Sequence, residues 1–272
     1  CKTPLLQPMV MVKAPSFWDK AQTLKNFGGM SAVRIGGNTD DDGVWYGSTL
    51  IMEAGSKIID DSLGNRKGGV AAIWSQGGKI EMEEGSSIEK IDGRAIYLED
   101  GGNATVNGSI QNITANGVMT SDPAKGSDLG GGASGGFGGI AVAALGNSHF
   151  TLESAGSISD IKTDPNDVRG GDVAIWLAPG SFIMEENSRM ENIQTIGLVD
   201  NNGGIIEIGG TISNCNSNNV FFRLRGGGTV TFRLLEEGSV TDCTADTAMI
   251  YRNGGKIDIE IAGTVDGIYF KE

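Results

Sequence analysis

The sequence predicts an all-β fold, a right-handed parallel β-helix (solenoid) of roughly eight coils with a short N-terminal capping helix. Three observations predict it. First, four stretches follow one template: GGKIEMEEGSSIEKI (77–91), GGNATVNGSIQNI (101–113), GTISNC (210–215) and GGKIDIEIAGTVDGI (254–268). Second, an apolar pair three residues apart closes each unit and recurs along the chain. Third, the strands are short, alternate apolar with polar residues, and are separated by Gly, Asn and Asp. A unit this short cannot bury its own apolar face, so it must stack on copies of itself.

The closing pair sets the period. It falls at Ile88/Ile91, Ile110/Ile113, Ile158/Ile161, Met190/Ile193, Ile212/Cys215, Val240/Cys243 and Val265/Ile268, with a weaker copy at Ile58. One interval, Ile110 to Ile158, is about twice the others. It contains GSDLGGGASGGFGG (126–139), a low-complexity run that reads as a loop inserted at about 117–139. The expected organisation is an N-terminal segment over 1–29 and a β-helix over 30–272.

Taken in order, residues 1–14 are irregular, with Pro4 and Pro8. The run PSFWDKAQTLKNFGG (15–29) reads as the helix. Ser16 is placed to cap it with Asp19 three residues on, Phe17, Ala21 and Leu24 form an apolar side, and Gly28 and Gly29 stop it. Such a helix would close the first open coil. From Met30 onward each unit carries two strands. Examples of the first are VAAIWS (70–75), RAIYL (94–98) and VAIWL (173–177); of the second, KIEME (79–83), HFTLE (149–153) and SFIME (181–185). Equivalent strands recurring once per coil in one direction make parallel sheets, and parallel crossovers are right-handed. Alternation turns Ile80/Met82, Phe150/Leu152 and Phe182/Met184 inward. Coils stack about 4.8 Å apart, so eight give a rod on the order of 40 Å long.

Composition narrows the function. Among 272 residues there are 44 Gly and a net charge of −13. That balance argues against nucleic acid, which needs clustered Lys and Arg. No apolar run reaches the ~18 residues of a membrane-spanning helix. No signal peptide is visible, and a chain headed by Cys1 reads as a processed or excised form. Cys1 suits the lipid anchor of a bacterial lipoprotein, although TPLLQPMVMV lacks a polar tether. One His and no CxxC argue against zinc and haem. Cys215 and Cys243 fill the closing apolar slot of consecutive units. Free thiols buried as small hydrophobes are expected there, with a disulfide geometrically open.

Period-2 alternation marks one outward column on the first strand. Ile96 and Leu98 face in, so Tyr97 faces out, and by the same register so do Trp74, Trp176 and Tyr251, with Arg34, Ala143 and Arg223. Rings and guanidinium groups on a rigid sheet suit sugar faces and glycan carboxylates or sulfates. The alternative is that neighbouring loops, including the Gly-rich insert, cover the rings. A second column is acidic: Glu53, Glu83, Glu153 and Glu185. It reads as a solvated face, or as a place for calcium, which takes oxygen ligands in varied geometry; no other cofactor is expected. Asn or Asp before the last apolar residue (Asn112, Asp160, Asn192, Asn214, Asp242) reads as a corner ladder that satisfies turn backbone.

The pattern GG-x-I-x-Φ-x-x-G-S/T-I-x-N/D-I, with strands such as GRAIYL between copies, resembles bacterial surface and adhesin proteins of the pectin-lyase-like β-helix superfamily over about residues 28–270. The resemblance implies an extracellular or cell-surface location and a glycan or host-surface ligand. The superfold hosts enzymes and non-enzymes alike. Polygalacturonases of this fold use Asn-Thr-Asp, Asp-Asp, Gly-His-Gly and Arg-Ile-Lys motifs. The chain has Asn38-Thr39-Asp40 and Asp60-Asp61 but neither of the other two. The leading expectation is therefore a non-catalytic adhesin-like, glycan-binding or stalk module whose ligand residues are Trp74, Tyr97, Trp176, Tyr251, Arg223 and Arg34. The alternative is a hydrolase or lyase acting on uronate polymers through Asp40, Asp60 and Asp61, with carboxylates at glycosidase separation. The last coil has no evident cap, so an end-to-end contact or a larger chain is expected to cover it.

Overall fold

The computed structural model describes residues 23–25, 31–39, 45–61, 71–114, 140–162 and 173–271. They form twenty-two strands and, among the described residues, no helix. The strands join into one arrangement in which every pairing but one is parallel. The chain visits three ladders in turn and then returns to the first. The first ladder starts at Ser31–Thr39, passes through Ala71–Gln76 and Arg94–Glu99, and reaches Ala248–Asn253. The second runs from Thr49–Met52 through Lys79–Met82 to Lys256–Ile261. The third runs from Thr23–Lys25 through Lys57–Asp61 and Ser87–Asp92 to Thr264–Phe270. The arrangement is consistent with a β-helix solenoid. The Gly-rich run at 117–139 lies outside the described residues.

The N-terminal helix expected over 15–29 is corrected where the structure describes it. Thr23–Lys25 is a strand, paired in parallel with Lys57, Ile58 and Ile59. Leu24 therefore occupies the column of Ile58 and Ile88. The signal was present: Leu24 and Phe27 stand three apart before Gly28, as the closing pair does elsewhere. A weak helical stripe lost to backbone pairing with the next coil. The rest of 15–29 lies outside the described residues. Two further features were not anticipated. Residues Gly37–Thr39 fold back on Trp45–Gly47 as the one antiparallel pair. The strand Gln194–Ile208 also contributes a first-ladder rung through Gly197–Asn202, where Gly and Asp obscure the apolar pattern.

Alternation places the core as expected. Ile80, Phe150, Phe182, Ile206 and Phe232 lie in the second ladder's inward column and are buried. Phe150 and Phe182 stack with ring centroids 5.4 Å apart and 9° between planes. At the corner between the second and third ladders the chain makes a tight turn, with Ser56 N–H donating to the Glu53 carbonyl and Ser86 N–H to that of Glu83. At Gly156, in the same corner, an added Cβ would overlap the Val106 carbonyl of the coil beneath.

The third ladder bends at one repeated position. Lys90, Asn112, Asp160, Asn192, Asn214 and Asp242 all have φ between 52° and 57°. This left-handed region disfavours most side chains and tolerates Asn and Asp, which explains the residue choice. There the Asp160 N–H donates to the Glu191 carbonyl of the following coil, so the bend is tied between coils.

Cys215 and Cys243 are free and buried in the closing slot, and the Cys215 N–H approaches Cys243 Sγ at 3.4 Å. The Cys243 sulfur and burial together push the Cys215 thiol well above its ordinary range. Asn201 departs from the apolar rule. It lies between Leu177 and Leu224 in an inward column, fully buried, with no hydrogen-bond partner for either amide atom among the described residues. An unsatisfied buried amide costs about 1–3 kcal/mol. Asn201→Leu is expected to stabilise the fold by that amount, read as a higher urea midpoint at unchanged slope. A lower midpoint would mean that Asn201 has a partner.

Candidate functional site

The register of the first ladder builds the site. Arg34, Trp74, Tyr97, Ala143, Trp176, Asp200, Arg223 and Tyr251 follow one another rung by rung in a single column. Their neighbours Ile73, Ile96, Val142, Ile175, Val199 and Phe222 belong to the main core. The column itself carries a separate, smaller apolar cluster, with Tyr97, Ala143, Ile140 and Leu145 at its centre and Trp74 and Trp176 packed on it. Two packing layers thus flank one sheet.

Exposure varies along the column. Arg34 is exposed and lies over the Trp74 ring, 4.0 Å from guanidinium carbon to centroid, while donating to Gln76 Oε1. Trp74 is half-buried and its Nε1–H donates to Glu99 Oε1 at 2.8 Å. It meets Tyr97 edge-on, with centroids 6.4 Å apart and 71° between planes. Tyr97 is 1% exposed, so its ring packs within the outer cluster. Trp176 is half-buried, and Tyr251 is 46% exposed. Burial lifts the Tyr97 phenol to about 12, against the pull of Arg94, whose guanidinium carbon lies 5.2 Å from the ring centroid. The folded value lies above the ordinary value of 10.0, so the stability tied to the neutral phenol is complete below pH 10 and is lost as pH rises through about 12. Ultraviolet titration of phenolate should show one late-ionising tyrosine, absent in Tyr97→Phe. Normal ionisation of all tyrosines would contradict the buried placement.

Asp200 is the residue that the sequence reading missed. It is 4% exposed and takes a two-pronged contact from Arg225, Nε to Oδ1 at 2.8 Å and an η nitrogen to Oδ2 at 2.6 Å. Arg223 adds a longer ion pair of 3.6 Å to Oδ2. Burial raises the Asp200 carboxyl, and Arg225 and Arg223 oppose that shift. Arg223 thus binds a carboxylate already on the protein, with Tyr251 beside it on the next rung. The signal for Asp200 was its spacing of 24 residues from Trp176, one coil, inside a strand whose pattern was obscured. No protein-family model, curated protein or solved structure matches the chain.

Asp40 lies outside the described residues. Asp60 and Asp61 lie on the third ladder, where the backbone of Asp61 pairs with Ile91. Among the described residues no group of three or more His, Cys, Asp or Glu side chains converges as a metal-ligand set. Glu53, Glu83, Glu153 and Glu185 each open the turn into the third ladder. Burial, then the charges of Glu185 and Glu81, raise the Glu153 carboxyl. Near the same corner Glu89 is nearly buried and accepts from Lys57 Nζ at 3.1 Å, Gln111 Nε2 at 3.1 Å and Ser87 Oγ at 3.4 Å. Burial alone would raise its carboxyl, but these donors hold it below the ordinary value. A shallow cavity of about 240 Å³ opens beside them, lined by Lys57, Ser87, Ser109 and Gln111. Among the described residues no helix is long and apolar enough to cross a membrane.

Proposed function

We propose that this chain is a non-catalytic binding module of a bacterial surface, built as a right-handed pectin-lyase-like β-helix, and that it binds glycans along the outer column of its first ladder. The column supports this reading because rings or guanidinium groups stand at six of its eight rungs, Ala143 and Asp200 being the others. The rise of about 4.8 Å per coil is close to the repeat of a pyranose chain. Tyr251 supplies an exposed ring for stacking on a sugar face, and Arg223 and Arg225 supply donors beside it. Trp176 and Trp74 extend the track over the outer cluster. Tyr97 supports the track from beneath.

Binding of the purified protein to an array of neutral, uronate-containing and sulfated glycans tests the proposal. Tyr251→Ala and Trp176→Ala are expected to reduce affinity at least tenfold while the circular dichroism spectrum is preserved. Undiminished binding in both variants would remove the column as the site. An array with no bound glycan would leave a rod that acts as a stalk.

A further inference from the structure

One inward column of the third ladder carries two sulfurs in succession. Ile91, Ile113, Ile161 and Ile193 fill it on successive coils and are buried. Cys215 and Cys243 take the next two rungs, and Ile268 follows. The registers on either side make the two cysteines rung partners, since Ser213 pairs with Thr241 and Asn216 with Thr244. Cys215 is 2% exposed and Cys243 0%. Cys1 lies outside the described residues.

The backbone sets the two side chains in parallel. Each follows a left-handed residue, Asn214 at φ 53° and Asp242 at φ 52°, and both enter the core from the same bend. Parallel rungs stand about 4.8 Å apart. That lies within the Cα separation of about 4.4–6.8 Å that a disulfide bridges. The Cys215 N–H approaches Cys243 Sγ at 3.4 Å, so one sulfur already meets its neighbour's backbone. Each thiol donates to a carbonyl of its own strand, Cys215 to Ser213 at 3.3 Å and Cys243 to Thr241 at 3.1 Å. Thiols are weak donors, so rotation about the two Cα–Cβ bonds gives up little to bring the sulfurs together.

We infer that Cys215 and Cys243 are a redox modification site, which closes to a disulfide tying two neighbouring coils and enclosing one whole repeat of chain. The two residues stand 28 apart in sequence, so the bond removes freedom from the unfolded chain and stabilises the stack.

The oxidant is a small-molecule disulfide, and the step is thiol–disulfide exchange. Cys243 reacts first. Hydrogen bonding from the Cys215 thiol pulls the Cys243 thiol below its ordinary value against the effect of burial, and the Cys215 N–H adds to that pull. Having lost its proton, Cys243 Sγ attacks one sulfur of the small disulfide. That S–S bond breaks, and the other sulfur leaves and takes up a proton. Cys215 Sγ then loses its proton and attacks Cys243 Sγ, expelling the second small thiol. Two protein thiols are oxidised and two small thiols are formed. Burial shields both sulfurs in the finished stack, so exchange occurs as the coils assemble or during local opening. The surface location proposed above is a compartment in which such a bond persists, but the bond is tested independently of it.

Equilibration of the purified chain with mixtures of oxidised and reduced glutathione tests the inference. Samples are quenched, alkylated and mapped by mass spectrometry without reduction. The peptide carrying Cys215 is expected joined to the peptide carrying Cys243. The folded chain should close at a ratio of oxidised to reduced glutathione at least tenfold lower than the chain in concentrated urea. The oxidised protein should accordingly show a higher urea midpoint than the reduced protein, a difference lost in Cys243→Ala. If that variant fails to fold, Cys243→Val keeps the slot aliphatic and serves in its place. A folded chain that closes no more readily than the unfolded one overturns the inference, because the stacked coils would then hold the sulfurs apart. So does a bond from either residue to Cys1 or to a second molecule in place of the joined pair, or a midpoint that oxidation does not raise.

Discussion

Gly156→Val is expected to unfold the rod around its fourth coil, at a cost above about 4 kcal/mol. The cause is space. A Cβ at residue 156 falls on the Val106 carbonyl and close to the Glu153 carbonyl, and backbone cannot give way as a side-chain tip can. The Gly156 N–H also donates to the Glu153 carbonyl at 2.7 Å, and the Ser157 N–H beside it bonds the coil beneath at 3.0 Å. Moving the turn to admit two methyl groups would break both bonds. Urea denaturation followed by circular dichroism measures the effect. A Gly156→Val protein with the parental midpoint would mean that coils are not packed as closely as their registers state.

Phe182→Ala is the second large effect, at about 3–5 kcal/mol. Phe182 is fully buried and stacks flat on Phe150 in the coil beneath, with Ile206 above it. Each coil touches only its neighbours, so a void at one level weakens two interfaces and leaves the ends of the rod untouched. In a quasi-one-dimensional stack that loss can divide one transition into two. The expected record is a lower first midpoint, with a residual transition from coils remote from residue 182. Phe182→Leu should recover most of the loss. A single sharp transition at the original midpoint would contradict the stacked placement.

Registration of the closing pair located most of the ladder positions in advance, because those residues must all point into one narrow core. The exceptions have a common cause. Thr23–Lys25 and Gly197–Asn202 are strands on the strength of their neighbours, and Asp200 sits where an apolar ring stands elsewhere. Alternation could also assign Tyr97 to the outer side of the sheet, but it could not say what lies above that side. Period two reports direction, while burial depends on residues remote in the chain. Likewise Arg223 was legible as an outward cation, but its pairing with Asp200 required the rung that the pattern concealed. The preference for Asn and Asp before the last apolar residue was legible as a corner signal. Its basis proved to be the left-handed backbone at that position.

The three-ladder winding also has a mechanical consequence. A coil advances the rod by about 4.8 Å yet stores a whole repeat of chain. From Ile88 to Ile110 that repeat is 22 residues, which spans about 75 Å when drawn straight. Tension applied along the axis acts on the rungs in series, so the weakest end coil peels first and hands the pull to the next. The molecule would extend in steps, each many times the rise of a coil and each set by the length of the repeat released.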